Sequence, residues 1–158
     1  RSVSAFLLNR SSDLCHYEPA QIWSETIQAY LTAQGAQAIP AIVGELERMD
    51  AGGQAGPRKR REVEDYLLLA LTAIGQEAPD ERIYQTLRRI FRQTTPRLIP
   101  VICLGDYGDP RAVTMLRHYL IREAHMTDET TYYEIISTIL RLGGQTDDLP
   151  DPFSGSKR

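Results

Sequence analysis

The chain has 158 residues, the size of one domain, with 42% hydrophobic and 25% charged residues. Its 21 acidic residues outnumber its 18 lysines and arginines, and the net charge of −3 argues against a strong overall affinity for polyanions. The longest apolar run, residues 67–71, is too short to span a membrane, and two cysteines without a signal peptide predict a cytoplasmic protein.

Three helices are predicted in the first half of the chain. Residues 1–18 are expected to form an N-terminal connector, after which apolar residues recur with helical spacing up to a cap at Gly35. A second helix follows over residues 39–46. The glycine-rich loop 50–57 then leads to a third helix, which ends at Gly75 and has an apolar zone wide enough to indicate burial between neighbours.

Helices also dominate the second half. Asp80 caps a fourth helix, and Asp109 followed by proline is typical of the start of a sixth. Residues 94–104 are ambiguous between a short, kinked helix and a strand, because they combine two prolines with an apolar run; we favour the helix. A seventh helix starts near Thr127, and the polar tail, residues 144–158, is expected to be flexible.

Part of the sequence repeats. Residues 80–91, "DERIYQTLRRIF", align without a gap with residues 109–120, "DPRAVTMLRHYL", and each copy has a first-turn arginine, Arg82 or Arg111. Residues 36–46 follow the same frame, and each copy comes after a helix that closes on glycine. A unit of two helices cannot bury its apolar face alone. The pattern therefore predicts an α-solenoid of about three to four stacked antiparallel helix pairs, with an up-down helical bundle as the alternative.

The segment "LGDYGDPRAVTMLRHYL", residues 104–120, resembles the HEAT repeat in the short form found in phycobilisome-lyase-type repeat proteins. In that form a helix ending in Leu-Gly is followed by Gly-Asp-Pro-Arg-Ala-Val and an amphipathic helix. The match is complete at 104–113, recognisable at 31–46 and partial at 71–87. Together these matches extend over most of the predicted repeat domain, residues 19–143.

The resemblance implies a non-catalytic scaffold or adaptor that binds a protein partner through its repeat surface. It specifies architecture more than chemistry. Two other functions stay open: a nucleic-acid-binding module like the HEAT-like DNA glycosylases, and a bilin lyase or chaperone-type subunit.

The acids and potential metal ligands do not form a recognisable site. Asp106 and Asp109 fall short of the six to eight oxygens that calcium takes, so we interpret them as a turn residue and a helix cap. His118 and His125 share a helix face but stand about 10.5 Å apart along its axis, too far to share a zinc ion. The Cys-His pair at positions 15 and 16 lacks a second pair of ligands. We therefore predict no catalytic residue, metal or cofactor.

Basic residues are the stronger functional candidates. Arginines share one face of the fourth helix, and a second basic face lies on the sixth; stacking would merge these faces into a stripe. Such a stripe fits an acidic protein partner or, less well, nucleic acid. The alternative is that these basic faces are simply exposed to solvent and bind no partner. The predicted partner-binding residues are Arg82, Arg89, Arg92, Arg111, His118 and Arg122.

Overall fold

A computed structural model of the chain describes residues 20–51, 57–93 and 97–154, with side chains described from residue 26 and, after the first gap, from residue 61. The described secondary structure is entirely helical, which confirms the all-α prediction. None of the described helices is long and apolar enough to cross a membrane. The expected connector with its Cys-His pair, and most of the glycine-rich loop, lie outside the described residues.

The predicted helices are all present in the described part of the chain. They are α1 (Ala20–Gln34), α2 (Ile39–Asp50), α3 (Pro57–Glu77), α4 (Glu81–Gln93), α5 (Leu98–Tyr107), α6 (Arg111–Glu123) and α7 (Glu129–Arg141), with short 3₁₀ helices at Gly35–Ala38 and Ala124–Met126. The ambiguous segment forms α5, and Pro100 lies in its first turn, where a helix tolerates the missing N–H.

Two glycines that were predicted to end helices lie inside them. α3 continues past Gly75 and α5 continues past Gly105, so both of these predictions were wrong. α5 ends instead at Gly108, whose φ of +81° is a conformation that glycine adopts without steric cost. A Cβ atom at Gly105 would overlap the guanidinium of Arg141 on α7. Gly105 therefore serves the contact between α5 and α7.

The chain divides between Pro79 and Asp80 into two compact units, where the sequence predicted one repeat domain over residues 19–143. In the first unit, α3 packs against both α1 and α2. The fully buried side chains of this core include Leu31, Ile39, Ile42, Leu46, Leu68, Leu71 and Ile74. Burying aliphatic side chains of this kind is the main source of stability for such a helical unit.

In the second unit, α5 packs against α4 and α7, and α7 packs against α6. α4 and α6 also touch each other, since the rings of Phe91 and Tyr119 meet edge-to-face with centroids 5.5 Å apart. The fully buried side chains of this unit include Ile83, Leu87, Leu104, Leu116 and Leu120. α4 and α6 thus lie side by side, and together they carry the predicted basic residues.

The described part of the tail packs against α6 and α7, although the sequence predicted a flexible tail. A guanidinium nitrogen of Arg117 lies 2.7 Å from a carboxylate oxygen of Asp148. The Tyr132 hydroxyl donates a hydrogen bond of 2.8 Å to the carbonyl of Pro150, and its ring meets that of Phe153 at 5.4 Å. These contacts join the tail to the second unit.

Candidate functional site

A groove of about 320 Å³ lies between α4 and α6 in the second unit. Its lining residues are Tyr84, Arg88 and Arg92 from α4, and Arg111, Thr114, Met115 and His118 from α6. Their positions recur every three or four residues along each helix, so each helix contributes one stripe of side chains to the groove. Tyr84 is buried and Met115 half-buried, whereas most of the basic residues are exposed.

The two helices that form the groove begin with the same clamp. Oδ1 of Asp80 accepts hydrogen bonds from the backbone N–H of Arg82 at 2.9 Å and from its Nε at 3.0 Å. Oδ1 of Asp109 accepts the equivalent bonds from Arg111 at 2.9 and 3.0 Å. The arginine hydrogen bonds lower the pKa of Asp80 to about 2 and also lower the pKa of Asp109. Both clamps come from the Asp-x-Arg pattern that the repeat preserves.

Arg111 also joins the two helices at one end of the groove. Its Nη1 and Nη2 donate to the carboxylate of Glu81 on α4, at 3.1 and 2.7 Å. Its Cζ lies 4.1 Å from the centroid of the Tyr84 ring, within the range of a cation–π contact. The charge of Arg111 is therefore shared between two carboxylates, those of Asp109 and Glu81, and this end of the groove has no excess positive charge.

The opposite end of the groove has different electrostatics. Arg88 is half-buried and Arg92 exposed, and within the described residues neither forms a hydrogen bond or an ion pair. They follow Glu81 by seven and eleven positions, which places them about 10 to 16 Å further along the axis of α4. Positive charge without an internal partner among the described residues therefore gathers at this end, and His118 of α6 lines the groove as well.

The structure brings together only part of the predicted basic set. Arg92, Arg111 and His118 line the groove, whereas Arg89 lines an adjoining depression on α4. Arg82 is held by its own clamp, and Arg122 is exposed one turn beyond His118, outside the groove lining.

Arg88 was missed by the sequence-based prediction. Its spacing of four from both Tyr84 and Arg92 is the signal that could have found it, because residues four apart share a helix face. The prediction instead grouped Arg82, Arg89 and Arg92 on one face of the helix.

The two aspartates that first suggested metal chemistry have structural partners. Asp106 lies inside α5 and not in a turn, so its interpretation as a turn residue was wrong, and its Oδ1 is 2.9 Å from Nη1 of Arg141 on α7. Asp109 belongs to the α6 clamp. Among the residues that the structure describes, no group of three or more His, Cys, Asp or Glu side chains is placed to hold a metal ion.

A larger depression of about 660 Å³ lies between α1 and α3 in the first unit. Its lining consists of Gln28, Ala29, Thr32, Ala33, Gly35, Ala73 and Glu77. These side chains are mostly small and uncharged, so they offer little with which to select a ligand. The groove between α4 and α6 is the chemically more specific of the two.

Comparison of the chain with models of known protein families, with curated proteins and with solved structures gives no match. The function of the groove therefore has to be inferred from the chemistry of its own side chains.

Proposed function

We propose that this chain is a non-catalytic protein-interaction module, a HEAT-like repeat scaffold or adaptor, which binds an acidic segment of a partner protein in the groove between α4 and α6. The observation that carries the proposal is the pair Arg88 and Arg92, two guanidinium groups on one groove wall without an internal ion-pair partner among the described residues. Planar guanidinium groups bind carboxylates through paired, charge-assisted hydrogen bonds. The repeated Asp-x-Arg clamp supports the view that α4 and α6 are equivalent helices of a repeat.

The charge distribution supports a local binding site. Residues 80–158 contain eleven acidic residues and eleven lysines and arginines, so this unit is neutral overall. Positive charge at one end of a groove is then a separation of charge within a neutral unit. Such an arrangement selects a partner by complementarity and speeds the encounter.

The same distribution favours a protein partner over nucleic acid. A duplex is bound through many phosphates along an extended basic surface. Here Arg82, Arg111, Arg117 and Arg141 are each paired with carboxylates of the same unit, which reduces the charge that they offer to a long polyanion. The groove also has a partly apolar wall at Tyr84 and Met115, which fits the side chains of a peptide.

A random peptide library displayed on phage, selected against the full chain, tests the proposal. The expected result is a set of acidic peptides that lose roughly tenfold or more in affinity towards the variant Arg88→Glu/Arg92→Glu. The matched control is Arg48→Glu/Arg61→Glu, which makes the same change of charge at exposed positions of the first unit and is expected to leave binding unchanged.

Two results would overturn the proposal. One is selection of peptides whose binding is the same for both double variants. The other is a DNA duplex that binds more tightly than every selected peptide and loses affinity with the Arg88→Glu/Arg92→Glu variant alone.

A further inference from the structure

The groove has a polarity that restricts what its ligand can be. At one end the carboxylates of Glu81 and Asp109 surround the single guanidinium of Arg111, so an anion placed there meets more negative than positive charge. At the other end Arg88 and Arg92 have no such carboxylates against them within the described residues. The second end is therefore the one that favours an anionic group, and Tyr84 and Met115 line the rest of the groove.

We infer that this anionic group is a phosphoryl group, carried on a phosphorylated side chain of the partner protein. The inference rests on the proposed function and specifies the chemistry of the partner segment. Two guanidinium groups carry two positive charges, and a single carboxylate neutralises only one of them. A phosphate monoester carries nearly two negative charges at neutral pH and has three acceptor oxygens, so it satisfies both arginines at once.

The opposite wall of the groove supplies groups that suit the same ligand. The hydroxyl of Thr114 and the imidazole of His118 both lie on α6 and line the groove, and both can donate a hydrogen bond to a phosphate oxygen. Arginines from one helix and side-chain hydrogen-bond donors from the other thus line the two sides of the groove. Met115 lies between these donors in the sequence of α6 and offers apolar contact to the stem that carries the phosphate.

Phenyl phosphate and phenyl sulfate form a matched pair of probes, because they are nearly the same in shape while the phosphate carries the second negative charge at pH 7.5. Each is titrated into the full chain labelled with ¹⁵N, with the side-chain Nε–H signals of the arginines observed by NMR. Phenyl phosphate is expected to bind roughly tenfold more tightly than phenyl sulfate, because its second negative charge strengthens the charge-assisted hydrogen bonds to the two guanidinium groups. The signals of Arg88 and Arg92 are expected to shift most.

Variants extend the test. Arg88→Gln and Arg92→Gln are each expected to remove the preference for phosphate over sulfate, whereas Arg61→Gln, at an exposed position of the first unit, is expected to keep it. A phosphotyrosine placed at the acidic position of a peptide selected by phage display is expected to improve its affinity by roughly tenfold over the glutamate form.

The possible failures can be told apart. Equal affinity for phenyl phosphate and phenyl sulfate, or shifts located away from Arg88 and Arg92, overturns the phosphoryl assignment and leaves the acidic-peptide proposal standing. Tight binding of phenyl phosphate by a chain that selects no peptide overturns the assignment to a partner protein, and with it the proposed function.

Discussion

Replacing Asp109 separates two contributions to the start of α6. Its carboxylate accepts the backbone N–H of Arg111 at 2.9 Å and also accepts guanidinium hydrogen bonds of 2.6 and 3.0 Å. Asparagine caps helices about as well as aspartate does. The substitution Asp109→Asn therefore keeps the backbone hydrogen bond and loses the charge of the clamp, whereas Asp109→Ala loses both.

The expected effects follow from exposure and geometry. We expect Asp109→Asn to lower the free energy of unfolding by about 0.5–1 kcal/mol, since water screens an ion pair that is half exposed on the guanidinium side. Asp109→Ala is expected to cost about 1 kcal/mol more, the usual effect of losing a helix cap. At position 80, too, the alanine variant is expected to be more destabilising than the asparagine variant, because Asp80 accepts the same 2.9 Å hydrogen bond from a backbone N–H.

Urea unfolding of the full chain, followed by circular dichroism, measures all four variants under one condition. If Asp109→Ala is no more destabilising than Asp109→Asn, the backbone hydrogen bond of Asp109 contributes nothing as a cap, contrary to expectation. Opposite orders at positions 80 and 109 would show that the two helix starts are not equivalent.

Three further predictions concern stability. Gly144→Ala places a Cβ 2.6 Å from the nearest apolar side-chain atom, so it should lower the free energy of unfolding in urea by about 1–3 kcal/mol. Gly44→Ala, at an open position within α2, should raise that free energy by about 0.5–1 kcal/mol. Equal effects of the two substitutions would contradict the packing explanation. The pKa of Asp80 is held at about 2, below the reference value of 3.8, so Asp80 contributes stability that is present above about pH 4 and lost as the pH falls towards 2. Between pH 4 and pH 2 the free energy of unfolding should therefore fall less steeply in Asp80→Asn than in the native chain. An unchanged slope would contradict this contribution of Asp80. Tyr132→Phe removes the 2.8 Å hydrogen bond to the carbonyl of Pro150 and should cost about 1 kcal/mol, with faster hydrogen exchange in the tail; unchanged exchange would mean that the contact does not hold the tail.

The helices and their starts were predictable because their causes are local. Apolar spacing locates each helix, and an aspartate two residues before Arg82 or Arg111 forms its hydrogen bonds within the first turn. The segment that forms α5 was assigned correctly for a similar reason, since a proline in the first turn is compatible with a helix.

The errors come from contacts between distant residues. From the sequence alone, a glycine that ends a helix looks the same as a glycine inside a helix that leaves space for a side chain from elsewhere. Gly105 is of the second kind, and the side chain that packs against it belongs to Arg141, 36 positions later. The contacts of Phe153 in the tail likewise depend on an aromatic ring in α7. Arg88 was missed although Arg92 was found, because the arginines of α4 were grouped without Tyr84, the residue four positions before Arg88 that lines the same groove.

A charge exchange between the groove and its ligand tests the central claim most directly. A selected acidic peptide is measured against Arg88→Glu/Arg92→Glu, and the same peptide with its acidic residues changed to lysine is measured against both forms of the chain. Direct contact predicts that the native chain binds the acidic peptide and that the Arg88→Glu/Arg92→Glu chain binds the lysine peptide. The two mixed combinations, in which only the chain or only the peptide is changed, should bind more weakly by roughly tenfold or more. An acidic peptide that binds the reversed groove as tightly as the native one would contradict the assignment of this groove as the partner-binding site.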